Sequence, residues 1–402
     1  MPVMTTLSGN EMWCLSRKGL YAGNMVVGNS VYSMGLIGSM GSGLNALLGG
    51  EVTQITELVH DGRTQAYQRL VAEAERHGGV GLTGVSNELV VLGSNIEFLS
   101  MGSTLHANRE NNERLAFTSS ADGQELYCQI DAGFQPVRFV FGNVAYSVGV
   151  GGGVMGALRS FRRGEVVEFS NVFNQTRHLA LTRITQEAAQ AGANAVVGIK
   201  TSILPFQGVQ EMVMVGTAAR HPSLPPQFNQ SPVSSDLTCQ EMWNLTRMEY
   251  LPLRLVLGVS VYSLGLLGRV TNWLSSWRRG ELTDYTKLVY EARENALSRI
   301  AADAQAIGAD DVAGVKTYVY DLGAGLIEFL AIGTAVKKVP GVRPASEQLP
   351  AQAVIQDRDT FVNTVDVPMA ASLNSGAKSA SGGTKQVQGG LDVIKLLLRL
   401  LR

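Results

Sequence analysis

Three stretches of this chain repeat one another, and that repetition constrains the fold more than any other feature. Residues 26–38 read VVGNSVYSMGLIG, residues 140–152 read VFGNVAYSVGVGG, and residues 256–268 read VLGVSVYSLGLLG. Gly28 and Gly142 lie 114 positions apart, as do the Gly50-Glu51 and Gly164-Glu165 steps. Gly142 and Gly258 lie 116 apart, as do Glu165 and Glu281. The same offsets carry Arg63 to Arg177 and Arg293, and Gly78 to Gly192 and Gly308. Glu97, Glu211 and Glu328 then precede Gly102, Gly216 and Gly333, with one extra residue in the third copy. A period above 100 residues is too long for a solenoid of ~20–50-residue repeats, so each copy is long enough to own a core. The expected organisation is an extension over 1–9, domains over 10–107, 124–221 and 238–338, and linkers over 108–123 and 222–237. A disordered segment over 339–390 and a short amphipathic helix over 391–402 complete it.

Within the third copy, Leu255 to Leu264 is rich in β-branched and aromatic residues and predicts a strand. Residues 266–278 predict a short helix. Residues 283–307 predict a long one, because Leu288, Ala292, Ala296, Ile300 and Ala304 fall at i, i+4 steps. Gly308 stands where a helix needs a left-handed terminating residue. Two further strands follow, over 311–320 and 326–334, joined by a Gly-containing turn. A further strand is expected before each copy, at MWCLSR from Met12, LYCQI from Leu126 and MWNLTR from Met242. The fold class is therefore α+β, with a small antiparallel sheet and one long helix per copy. Such a sheet has one face without a helix, and its strands are apolar at nearly every position. That face predicts packing between copies or self-association.

The run RGELTDYTKLVYEARENALSRIAADAQAIGADDVAGVKT with IEFLAIGTAVK resembles the YbjQ-like family, often labelled "heavy-metal-binding domain". The second copy matches through RGEVVEFSNVFNQTRHLALTRITQEAAQAGANAVVGIKT. The first is more divergent, with HGGVGLTGVSN in place of the later pattern. The resemblance implies a dodecin-like β-α-β-β topology in each copy and assembly into pentamers, and it implies no defined activity. For a three-copy chain, five chains in three stacked rings are the simplest closed form. Two chains making a pseudo-hexamer are the alternative.

Composition narrows the function. Lys and Arg number 33 against 34 Asp and Glu, so no basic excess points to nucleic acid. The first residues lack a basic, then apolar, leader, and no run of about 18 apolar residues occurs, so a cytoplasmic protein is expected. The five histidines do not recur at equivalent positions, and no CxxC or HxxxH spacing occurs. Cys14 and Cys128 are equivalent and would give a soft-metal site only by symmetry. The plainer reading is a small buried strand residue. The loop GVGGGVMGA from Gly149 has no following GK[ST] and loses its glycines in the third copy, so it predicts a turn rather than a phosphate cradle.

Glu51, Glu165 and Glu281, with Arg63, Arg177 and Arg293, recur in every copy and suit structural ion pairs within or between subunits better than catalysis. Trp273 and Trp277, followed by Arg278 and Arg279, suggest an interface or a membrane surface, with core packing as the alternative. In LDVIKLLLRLLR, the charges Asp392, Lys395, Arg399 and Arg402 are spaced 3, 4 and 3. Leu391, Ile394, Leu398 and Leu401 are among the apolar residues around them. A helix there would be ~18 Å long, too short to span a bilayer, and would need a surface to rest on. The sequence therefore points to a non-enzymatic, homo-oligomeric scaffold without a cofactor, whose tail meets an anionic membrane at its inner face or a protein partner. A metal- or small-ligand-binding module is one alternative, and a cargo protein carrying a docking peptide is another.

Overall fold

The computed structural model describes residues 2–33, 50–92, 95–107, 114–147, 164–206, 209–263, 283–323 and 326–352. The predicted short helix at 266–278, Glu281, Trp273, Trp277, Arg278, Arg279 and residues 391–402 lie outside them.

The first copy comprises α1 (Gly9–Ser16), β1 (Tyr21–Ser33), β2 (Gly50–Glu51), α2 (Thr53–Arg76), β3 (Gly81–Leu92) and β4 (Asn95–His106). The second repeats this order. After β5 (Phe117–Thr118) come α3 (Gly123–Asp131), β6 (Gln135–Ser147), β7 (Gly164–Glu165), α4 (Val167–Gln190), β8 (Ala195–Phe206) and β9 (Val209–Arg220). The third follows β10 (Val233–Ser234) with α5 (Cys239–Arg247), β11 (Tyr250–Ser263), α6 (Thr283–Ala306), β12 (Asp311–Gly323) and β13 (Leu326–Lys338). The predicted long helix, its two following strands and the α+β class are all present.

The stretches expected as an extra strand before each copy are instead the helices α1, α3 and α5. Their Trp, Cys, Tyr and Thr residues favour strands, but capping overrides that preference. Ser8 and Glu11 form a reciprocal capping box, as do Thr238 and Glu241, and Asp122 accepts from the N–H groups of Gln124 and Glu125.

In each copy the long helix lies on its own sheet through a strand glycine. A Cβ on Gly28 would sit 2.2 Å from the Ala66 carbonyl oxygen, and one on Gly142 would sit 2.3 Å from that of Ala180. Ala66, Ala180 and Ala296 occupy equivalent helix positions, so small residues face one another across the contact. Gly78, Gly192 and Gly308 end the helices at φ 67°, 73° and 68°, a region only glycine enters cheaply.

Strand orders are β1-β4-β3-β5, then β10-β8-β9-β6-β2, then β12-β13-β11-β7. Three adjacent strands of each sheet come from one copy and are antiparallel. The short strands cross between copies. β2 of the first copy pairs with Tyr146 and Ser147 of the second, and β7 of the second pairs with Tyr262 and Ser263 of the third.

The copies stack in series. The helix of one copy covers the open sheet face of the next: α4 buries Phe173 and Leu181 in one cluster with Leu257, Val259 and Val261. Likewise Tyr67 and Leu70 of α2 pack with Phe139 and Phe141 of β6. A second layer is built from the small helices, whose Cys14, Leu15, Leu126, Tyr127, Cys128, Met242 and Trp243 share one cluster. The segment after β13 runs back across them. Arg343 meets Glu249, Ser346 donates to Asp131, and Gln352 reaches Cys14.

Candidate functional site: the seams between copies

The recurring charged residues converge on the seams. In the second-to-third seam, Arg177 is fully buried on α4. Its Nη2 donates to both carboxylate oxygens of Glu328 at 2.8 and 2.9 Å and to the Tyr146 hydroxyl at 2.7 Å. Its Nε donates to Glu328 Oε1 at 3.2 Å. The guanidinium also lies 4.5 Å from the Tyr146 ring centre. Burial works against the Arg177 charge, but the Glu328 carboxylate and the Tyr146 hydroxyl, with their hydrogen bonds, together outweigh it and hold the guanidinium protonated beyond its ordinary range. Burial likewise pushes the Tyr146 hydroxyl up, so it stays neutral and accepts from Arg177.

The first-to-second seam repeats this chemistry. Arg63 grips Glu211 in a fork, Nε to Oε1 at 3.1 Å and Nη2 to Oε2 at 2.8 Å. Its remaining nitrogen, Nη1, donates to the carbonyl and side-chain oxygens of Asn87. A fork of this kind matches the planar guanidinium to the carboxylate and fixes their relative orientation.

Glu51 and Glu165 do not pair with the arginines of their own helices. Glu51 meets Arg183 of the second copy at 2.8 Å, and Glu165 meets Arg299 of the third at 2.7 Å. Each seam therefore holds two ion pairs of opposite sense. The first copy supplies a carboxylate from β2 and a guanidinium from α2, and the second returns the complement. Backbone bonds complete the seams. The Ala145 N–H donates to Thr56 Oγ1 at 2.9 Å, and the Val261 N–H donates to Ser170 Oγ at 2.8 Å. Arg293, the third member of the arginine set, is exposed.

Glu211 and Glu328 were visible in the sequence as register markers, but not as partners. Their separation of 148 and 151 residues from Arg63 and Arg177 hides the pairing. Asp131 gave no signal at all. It is buried and takes hydrogen bonds from Lys18, Trp243 and Ser346, tying the three small helices and the returning segment together.

Among the described residues no set fits a metal. Cys14 and Cys128 are buried helix residues rather than strand residues, and Cys239 joins them in the same layer. Burial pushes the Cys128 thiol up to about 12 and raises those of Cys14 and Cys239. Metal ligation needs the thiolate, and the carboxylates nearby add to the cost of forming it. Among the described residues no group of three or more His, Cys, Asp or Glu side chains converges on a point. A cavity of about 260 Å³ between the second and third copies is lined by Glu125, Lys200, Asp236 and Lys316. Its charges are internally matched, Lys200 to Glu125 and Lys316 to Asp236, each at 3.4 Å. Among the described residues no helix is long and apolar enough to cross a membrane.

Comparison with known proteins supports the repeat. The family model YbjQ_1, described as "Putative heavy-metal-binding", matches residues 19–104, 134–221 and 243–339. The encapsulin nanocompartment protein Rv1762c of Mycobacterium tuberculosis is 29% identical over 240 residues, which is 58% of this chain and 90% of that protein. The UPF0145 protein Ta0182 of Thermoplasma acidophilum is 39% identical over 79 residues, 20% of this chain and 66% of that protein. A UPF0145 protein of Methanosarcina acetivorans is 50% identical over 58 residues, 14% of this chain and 55% of that protein. The chain thus spans nine tenths of the mycobacterial protein and between half and two thirds of the other two. No solved structure matches it.

Proposed function

Because the chain belongs to the YbjQ family, in three tandem copies, we propose that it is a non-enzymatic, self-associating scaffold. In this reading its C-terminal residues dock it into a protein compartment. One observation carries the reading: the polar residues that recur at fixed offsets, the arginines at 63 and 177 and the glutamates at 51, 165, 211 and 328, are engaged at the seams between copies. An active site shared by the copies would keep such residues in a cleft facing substrate. The likeness to a protein named for an encapsulin compartment supports a protein shell as the partner class. The apolar, four-charge sequence over 391–402 supplies a peptide suited to a groove. Self-association would present many such peptides at once and turn weak docking into avid docking. The number of chains, five in the simplest reading of the sequence, and a cytoplasmic setting belong to this proposal.

Co-expression with an encapsulin shell protein tests it. The full chain is expected to co-sediment with assembled shells, and a version ending at Lys385 is expected to stay in the soluble fraction. Equal sedimentation of both would refute the docking role of the tail. Flotation of the full chain, and not the shortened one, on anionic vesicles would replace the shell with a membrane surface.

A further inference from the structure

The cavity between the second and third copies carries more polar chemistry than its seam needs. Glu125 and Asp236 stand in its wall, each more than nine-tenths buried. Lys200 of β8 and Lys316 of β12 line it as well, with 61% and 44% of their side chains exposed. Both ion pairs are loose. Lys200 Nζ lies 3.4 Å from the Glu125 carboxylate, and Lys316 Nζ lies 3.4 Å from that of Asp236 and 3.3 Å from its carbonyl oxygen. A closed charge-assisted bond runs to ~2.7–2.9 Å. Burial raises both carboxyls even with a lysine beside each, so neither acid is fully compensated. Thr201 also lines the cavity, and its hydroxyl oxygen is buried with no hydrogen-bond partner among the described residues. Ile199, Leu237 and Ile332 add an apolar wall, each at most 3% exposed.

The repeat separates this chemistry from the fold. At the first-to-second seam, Ser86 and Ser120 occupy the positions that Lys200 and Asp236 hold at the second. Glu11, the equivalent of Glu125, is spent on the backbone there: it accepts from the Ser8 N–H at 2.7 Å and from the Gly123 N–H at 3.3 Å. One seam therefore closes without the four-charge set. Charges that stacking does not require are free to serve a ligand.

We infer that this cavity binds the zwitterion of a small aliphatic α-amino acid. The ligand carboxylate accepts from the Lys200 and Lys316 ammoniums and from the Thr201 hydroxyl. The ligand ammonium donates to Glu125 and Asp236, and its side chain rests on Ile199, Leu237 and Ile332. Charge selects the ligand class. Two lysines and two carboxylates sum to zero, so a neutral zwitterion keeps the balance while giving each sign a partner. A lone anion would be held against two buried carboxylates, and a lone cation against two ammoniums, with nothing to offset the excess. Size agrees. At about 260 Å³ the cavity falls below the ~300–1,000 Å³ of drug-sized pockets. The inference rests on neither the scaffold reading nor the tail.

Isothermal titration calorimetry on the full-length protein tests it, with L-alanine, L-valine and L-leucine as probes. At least one is expected to bind saturably, with one site per chain. The matching acid without the ammonium and the matching amine without the carboxylate (isovalerate and isobutylamine for valine) should each bind about ten-fold or more weakly. Lys200→Met and Lys316→Met should each weaken the amino acid by a similar factor, whereas Lys337→Ala, remote from the cavity lining, should leave it unchanged. Both cavity lysines are largely solvated, so circular dichroism should show wild-type secondary structure in each variant. Absence of saturable binding for all three amino acids overturns the inference. So does an acid or an amine that binds as tightly as its parent amino acid, which would make the cavity a plain anion or cation site. Wild-type affinity in both folded lysine variants overturns it too.

Discussion

Replacing Glu328 by Gln tests whether the seam rests on a satisfied buried charge. Arg177 is fully buried and sends three hydrogen bonds to that one carboxylate, and both side chains are 0% exposed. With Gln in place, one amide oxygen must serve a guanidinium that cannot lose its proton. Removing one partner of a buried pair costs about 3–5 kcal/mol, since the remaining charge stays desolvated. Glu328→Gln should therefore lower the free energy of urea unfolding by about 3–5 kcal/mol at pH 7. Arg177→Met, which strands the carboxylate and the Tyr146 hydroxyl, should cost a similar amount. The double variant Arg177→Met/Glu328→Leu removes both charges and leaves an apolar seam. It should lose no more than about half the sum of the two single changes, because replacing a whole buried pair is often close to neutral. Lys337→Ala, which breaks the largely solvated Lys337–Asp310 pair at 3.7 Å, serves as the control and should cost less than about 1 kcal/mol. The cycle is read by far-ultraviolet circular dichroism against urea. Additive single and double effects, or a Glu328→Gln cost below about 1 kcal/mol, would refute the coupling and with it the view that the seam depends on this pair.

Two further changes probe the copies themselves. Burial pushes the Glu187 carboxyl from 4.5 up to about 7. The folded chain thus holds a proton there that the unfolded chain releases, and the associated stability is full below about pH 4.5 and lost as pH rises toward 7. Glu187→Gln keeps an acceptor for the Phe141 N–H and should raise stability by about 1–3 kcal/mol at pH 8 while leaving it unchanged at pH 4. Parallel pH profiles for variant and parent would exclude this origin. Gly142→Ala would place a Cβ 2.3 Å from the Ala180 carbonyl oxygen and 2.6 Å from the Ile184 nitrogen, both backbone atoms. Thermal unfolding should show a loss of about 1–3 kcal/mol or more, whereas Gly9→Ala, with nothing within 4 Å of its Cβ, should be tolerated.

Most of the architecture could be read from the chain because the repeat supplied three aligned versions of each element. The i, i+4 alanines, the glycine ending each helix and the hairpin that follows were legible for that reason. The recurring strand glycine was visible too, although its cause is tertiary: the helix backbone passes within reach of a Cβ. The helices α1, α3 and α5 resemble strands in composition, and only their caps mark them as helices. Ser8-Gly9-Asn10-Glu11 and Thr238-Cys239-Gln240-Glu241 both carry the Ser/Thr-x-x-Glu pattern that begins a helix. The seam pairs were harder. Glu51 precedes the helix that bears Arg63, and local spacing invites pairing them. Only stacking in space hands each residue to the neighbouring copy.

The same residue therefore has two fates along this chain. Arg63 and Arg177 sit at equivalent positions with Arg293, yet two are sealed under a following sheet and one faces solvent. The sheet faces obey the opposite rule: the second and third are covered and the first is bare. A residue kept only for the fold of its own copy would show the same burial three times, as Ala66, Ala180 and Ala296 do at 0%, 0% and 1%. Residues whose burial changes at one end of the series belong to the contact between copies. Among the described residues, Glu97, Arg293, Met25, Val27 and Val31 are the ones whose burial departs in this way from that of their equivalents.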